Sequence, residues 1–164
     1  MQTVADRERR EPRASLAWAR AVLAAVAVVA LDQLSKSAVE GSIVPGEDRG
    51  VLPGLQLVNT RNKGVAFGFL PGSHVAVTIL IGVALLVLLV YFARHAGLPW
   101  IWLPTGMLIG GALGNIADRV RHGSVTDFIK LPLGWPPFNL ADASITLGIL
   151  VLFVLVDRSR RRVP

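Results

Sequence analysis

The sequence contains no cysteine, which excludes disulfides, thiolate metal sites and thiol nucleophiles together. It also lacks an HExxH pair, the helical zinc signature, and a GxSxG nucleophile elbow. Its three histidines, His74, His95 and His122, stand alone, and the topology below does not put them all on one side of a membrane, so no metal or other cofactor is expected. Acidic residues are scarce, eleven against seventeen lysines and arginines. Whatever chemistry the chain performs is left to oxygen and nitrogen.

Apolar residues, by contrast, make up 52% of the 164, and the mean hydropathy is +0.55. Membrane residence is the first expectation. The formal charge of +6 could suggest a nucleic-acid partner. The arginines, however, cluster at the chain ends, Arg7, Arg9, Arg10 and Arg13 and then Arg158, Arg160, Arg161 and Arg162. Each cluster adjoins an apolar run, so the charge reads as topology and no nucleic acid is expected.

A hydrocarbon core about 30 Å thick needs roughly 20 mostly apolar helical residues. Four segments approach that length, about 16–34, 75–93, 98–117 and 140–156, the last short enough to suggest a start before Leu140. Arginine-rich tails stay on the cytoplasmic side, which requires an even number of spans and puts residues 35–74 and 118–139 outside. The predicted fold is mainly α, one integral-membrane domain over residues 1–164, with a flexible tail at 1–14 and a second tail at 157–164. A cleavable signal peptide is the alternative reading of the N-terminus, but Asp32, Gln33 and Lys36 leave no small-residue cleavage site. Between spans one and two, "VLPGLQLVNTRNKGVAFGFLPG" surrounds short alternating runs with turn residues, and it predicts a small β element on the outer surface.

In the third span Gly106, Gly110 and Gly114 recur every four residues and so share one helix face that permits close backbone approach. Asp118 continues that row. An exposed Asp118–Arg119 pair is the bland reading of its end. Yet Asp32, Asp118, Asp127 and Asp142, four of the eleven acids, all fall at outer span ends or in the last outer loop. Acids within membrane segments are functional candidates by default, and helix capping is the plain alternative for each one singly.

Asp127 and Asp142 bracket "FIKLPLGWPPFNLA", whose Gly134, Pro136 and Pro137 let the chain turn back towards the membrane. Two carboxyls brought together in a partly dry site cannot both ionise cheaply, so they share a proton. One then accepts a proton from water while the other donates to a scissile carbonyl, the chemistry of an aspartic protease. A Ser–Lys pair through Ser35 or Ser37 with Lys36 is disfavoured because adjacent helix residues point in different directions. A proton-coupled transporter wants an acid near midplane, whereas these lie at one end. An assembly protein whose acids merely pair with Lys36 and Arg119 is the third reading.

Four stretches, "LDQLSK" (31–36), "NTRNKGVAFGFL" (59–70), "GGALGNIADRVRHGSVTDF" (110–128) and "FNLADASITLG" (138–148), resemble in order the motifs of the lipoprotein signal peptidase, or signal peptidase II, family. The resemblance implies a bacterial cytoplasmic (inner) membrane aspartic peptidase with four spans, an outer β-cradle between spans one and two, and both termini cytoplasmic. It implies removal of signal peptides from diacylglyceryl-modified prolipoproteins, before the lipidated cysteine, with prolipoprotein and membrane lipid as partners and the chain read as a monomer. Carried over by motif, the catalytic pair falls on Asp127 and Asp142. Asn62, Gly64, Asn115, Asp118, Arg119 and Asn139 line the site, and Asp32 and Lys36 support it.

Overall fold

The computed structural model describes residues 4–63, 74–132 and 134–160. Four helices dominate: α1 (Val4–Ser42), α2 (His74–His95), α3 (Trp102–His122) and α4 (Leu140–Arg160). Strands β1 (Asp48–Leu52), β2 (Leu55–Asn62) and β3 (Val125–Lys130) form one antiparallel sheet in the order β1-β2-β3. The sheet therefore departs from the β element expected between spans one and two alone. Its third strand comes from the connection between α3 and α4 and carries Asp127. The "VAFGF" run at 65–69 lies outside the described residues.

Helix boundaries also differ from expectation. The first helix runs from Val4, through the stretch read as a flexible tail, to Ser42, eight residues past the expected end of the span. Asp32 and Lys36 do not terminate it, because they pair with each other one turn apart, Lys36 also meets Asp118 of α3, and Asp32 accepts the Ala141 N–H of α4. The third helix begins at Trp102 rather than 98, with Pro104 in its first turn, where a missing N–H costs nothing. It ends at Gly123, whose left-handed conformation (φ 67°) lets its N–H donate to the Arg119 carbonyl at 2.9 Å. The fourth starts at Leu140, not earlier, because Asn139 caps it.

Among the described residues, Ala14–Ser42 and Leu140–Arg158 are long and apolar enough to cross a bilayer, and a shorter apolar stretch covers Ile79–His95. Their large side chains point outward: Leu23 is 70% exposed and Phe153 73%. Such a surface is unfavourable in water and neutral in lipid. With few large side chains available inside, the interior is built on close backbone approach.

The glycine row of α3 makes that approach possible. A Cβ at Gly106 would lie 2.6 Å from the Ala24 Cβ and 2.7 Å from the Ala21 carbonyl oxygen. At Gly110 it would lie 2.7 Å from the Ala25 carbonyl oxygen. On another face, a Cβ at Gly111 would meet the Ala141 carbonyl oxygen of α4 at 2.6 Å. Backbone cannot move aside as a side-chain tip can, so α3 is held in a slot between α1 and α4 that admits only glycine. Gly110→Ala is expected to cost about 1–3 kcal/mol by forcing α1 and α3 apart. Thermal unfolding in detergent checks this, with Gly82→Ala, where the added methyl meets nothing within 4 Å, as the control.

Candidate active site

The site lies where the C-terminal parts of α1 and α3 meet β3 and the N-terminus of α4. Lys36 is buried, and its Nζ donates to Asp32 Oδ2 at 2.7 Å, Asp118 Oδ2 at 3.0 Å and Asn115 Oδ1 at 3.1 Å. Helical spacing brings Lys36 onto Asp32 one turn earlier, while Asp118 and Asn115 arrive from α3. Gly114 leaves the space this needs: a Cβ there would lie 2.6 Å from Asp32 Oδ2. Asp118 is thus a buried partner of Lys36, not half of an exposed pair with Arg119. Gln33 reinforces the cluster, donating from Nε2 to Asp118 Oδ1 at 2.9 Å and accepting from Arg121 Nη1 at 2.8 Å. Nothing in the motif reading singled out Gln33, although a polar residue between Asp32 and Lys36 on an apolar helix was a usable signal.

Each acid of the cluster also tethers another element. Asp32 Oδ1 accepts the Ala141 N–H at 3.0 Å, satisfying one of the orphan donors in the first turn of α4. Asp118 Oδ2 accepts the Thr126 N–H at 3.1 Å and so fixes β3 one residue before Asp127. Thr126 Oγ1 in turn donates to Glu40, which pairs with Arg61 of β2 at 3.1 Å. Together these contacts tie α1, α3, α4 and the sheet at one point.

Asn139 and Asp142 form a reciprocal capping box. The Asp142 N–H donates to Asn139 Oδ1 at 2.9 Å, and the Asn139 N–H donates to Asp142 Oδ2 at 3.3 Å. That device was legible in the N-x-x-D spacing of "FNLAD". The same Asn139 also reaches the other candidate acid, its Nδ2 donating to Asp127 Oδ1 at 2.7 Å. Asp127 Oδ2 accepts from Asn62 Nδ2 at 2.9 Å, and Asp142 Oδ1 from Asn115 Nδ2 at 2.8 Å. A register shift between Leu57 and Thr60 of β2 pairs Thr60 with Asp127, which makes Asn62 a diagonal neighbour of that carboxyl.

The two carboxyls expected to pair are therefore joined through one asparagine that bonds both. Asp127 is buried, 3% exposed, and Asp142 half-buried. Burial, and after it the charge of Asp142, push the Asp127 carboxyl up to about 6, against the amide donors of Asn62 and Asn139, which favour its ionised form. Arg119 is half-buried, donates to the Asn115 carbonyl at 3.3 Å, and lies within electrostatic reach of Asp118, Asp127 and Asp142. Of the residues expected here, Asp32, Lys36, Asn62, Asn115, Asp118, Arg119, Asp127, Asn139 and Asp142 converge, and Gly64 lies outside the described residues. Ser35 does not join them as a nucleophile: its Oγ donates to the Asp32 carbonyl at 2.8 Å, while Lys36 is taken up by the two acids.

The family model described as signal peptidase (SPase) II matches residues 24–157, which covers every element of this site. The chain belongs to the signal peptidase II family. A lipoprotein signal peptidase of Syntrophomonas wolfei is 42% identical over 136 residues, 81% of this chain and 91% of that relative. One from Cupriavidus taiwanensis is 38% identical over 147 residues, 84% and 81% of the two chains. Two solved bacterial membrane enzyme structures superimpose with TM-scores of 0.79 and 0.76 at 32% and 33% identity. They cover 88% and 83% of this chain, and 92% and 91% of their own lengths are matched. Membership of the signal peptidase II family makes this chain a hydrolase, a protease of signal-peptide processing.

Proposed function

We propose that the chain is a membrane aspartic endopeptidase that removes signal peptides from diacylglyceryl-modified prolipoproteins, cutting before the lipidated cysteine. The observation that carries this reading is Asn139, which bonds Asp127 at 2.7 Å by its side chain and Asp142 at 3.3 Å by its backbone. A shared donor of this kind holds two carboxyls in one site, as a proton-sharing pair requires.

Burial raises both carboxyls, Asp127 to about 6 with the charge of Asp142 adding to it, while Asn115, the Asn139 N–H and Lys36 oppose the rise at Asp142, so Asp127 serves as the acid and Asp142 as the base. Asp142 takes a proton from water as the water oxygen bonds to the scissile carbonyl carbon, and Asp127 passes its proton to the carbonyl oxygen. The tetrahedral intermediate collapses when the C–N bond breaks. Its hydroxyl proton returns to Asp127, and Asp142 delivers its newly gained proton to the leaving amine. The pair ends in its starting state. Asn62, Asn115, Asn139 and Arg119 orient the acids and offer donors to developing negative charge. The ion cluster of Asp32, Lys36 and Asp118 fixes the scaffold. No cofactor or metal enters the scheme.

In this reading α2 and α3 cross the bilayer with α1 and α4, in the inner membrane, both termini cytoplasmic and the sheet a cradle on the outer face. The apolar exposure of the helices supports a membrane setting. The site sits at one end of the bundle, where a peptide at headgroup level would meet it while its acyl chains stayed in lipid. Extracting those chains for a soluble protease would cost about 0.8 kcal/mol per CH₂.

The test is incubation of purified enzyme with one precursor in diacylglyceryl-modified and unmodified forms, with products identified by mass spectrometry. Cleavage of the modified form alone, immediately before its cysteine, is expected. Equal cleavage of both forms contradicts the lipid-dependent part of the proposal, and no cleavage of either contradicts the whole.

A further inference from the structure

The amide orientations in this site are set by chemistry rather than chance. An ammonium group has hydrogens and no acceptor, so Asn115 must turn its Oδ1 to Lys36 Nζ at 3.1 Å. The same Oδ1 receives Asn139 Nδ2 at 3.2 Å. Asn115 Nδ2 is then left facing Asp142 Oδ1 at 2.8 Å, and that oxygen can only accept. On the other side, the Asp142 N–H fixes Asn139 Oδ1, so Asn139 Nδ2 must face Asp127 Oδ1. Both Oδ1 oxygens are thereby acceptors, beside the Oδ2 oxygens that accept from Asn62 Nδ2 and the Asn139 N–H.

The geometry points to Lys36 as a positioning residue that, through Asn115, keeps an amide donor on Asp142 and so holds it ionised as the base of the pair. The inference rests on the peptidase reading above. It differs from a plain scaffold role: the bonds of Lys36 go to Asp32, Asp118 and Asn115, and while its charge favours the ionised form of Asp127 and Asp142 alike, only the amide it orients bears on Asp142 alone. Were Asn115 free to turn over, its Oδ1 would face Asp142 Oδ1, and a proton would have to lie between them. The proton would then be drawn away from Asp127, and the base would be lost.

The charges around Asp142 must be held constant in a test. Those acting on it are Asp32 and Lys36 of α1, Arg119 of α3 and Asp127 of β3, with Asp118 of α3 reaching it through Lys36. The double variant Asp32→Asn with Lys36→Met removes one charge of each sign and leaves the cluster's net charge unchanged. Its kcat on the diacylglyceryl precursor should fall about 100-fold, the effect of a misplaced reacting group, with KM within twofold. The acid limb of its pH profile should rise by about one unit, the size of one charge-assisted hydrogen bond.

A purely structural role would lower the folded fraction and leave the kcat of folded enzyme and its pH profile as they are. That result overturns the inference. If the first double variant fails to fold, Lys36→Met with Asp118→Asn gives the same charge balance and the same readouts. Asp127→Asn in the same assay separates the two levels. An inactive Asp127→Asn beside an unmoved acid limb rejects the role of Lys36 alone, whereas an active one rejects the peptidase reading beneath it.

Discussion

Asp127→Asn and Asp142→Asn should each reduce turnover of a diacylglyceryl precursor by at least about 10³-fold, within the range that acid–base catalysis contributes. The amide at 127 can neither donate the proton to the carbonyl oxygen nor recover it, and the amide at 142 cannot take one from water. Both variants should also lose some stability, since at position 127 an amide must present its NH₂ to Asn139 Nδ2 or Asn62 Nδ2. At position 142 an amide must present its NH₂ either to Asn115 Nδ2 or to the Asn139 N–H, both donors in the native site. One hydrogen bond of the capping box or the Asn115 link is then lost, at about 1 kcal/mol. Circular dichroism and gel filtration in detergent should find both variants folded. A folded variant with a tenth of native turnover would contradict the assigned roles.

The second large effect concerns stability. Lys36→Ala removes the one ammonium shared by Asp32 and Asp118, leaving two carboxylates that are 0% and 3% exposed facing each other across Gln33. Breaking a buried ion pair from one side costs about 3–5 kcal/mol, because the remaining charge is uncompensated. Combining the change with Asp32→Asn should recover most of that loss, since one acid then remains with Gln33 and the Thr126 N–H as donors. Denaturant unfolding of the three proteins in one detergent gives the comparison. A Lys36→Ala protein as stable as the native one would mean that the cluster is hydrated rather than dry.

The sequence carried the local and periodic features of this molecule well. The four apolar helices follow from run length, and the slot for α3 follows from glycines four residues apart. That Asp127 and Asp142 come to one asparagine fits the turn-rich loop between them. What it hid was long-range. Nothing local says that Lys36 is buried within α1, because beyond its one-turn pairing with Asp32 its partners come from α3, about 80 residues away. The strand Val125–Lys130 escaped notice because an aspartate at its centre reads as loop, and only the β2 register and the Asp118 contact with Thr126 make it extended. The roles of Asn115 and Asn139 as amide bridges likewise depend on four elements meeting, which no spacing rule encodes.

The most direct measurement is the pH dependence of kcat for purified enzyme acting on the lipidated precursor in detergent or bicelles. In the proposed mechanism the active form holds one proton, on Asp127, with Asp142 ionised. Because burial raises Asp127 to about 6, the working proton is present below that pH and lost as pH rises through it. The alkaline limb should therefore lie at or above about 6, higher if bound substrate dries the site further. On the acid side the rate should fall as Asp142 takes up a proton, giving a bell whose two limbs belong to the pair. A rate that climbs steadily from pH 4 to 9, or does not change, would contradict a shared proton between Asp127 and Asp142.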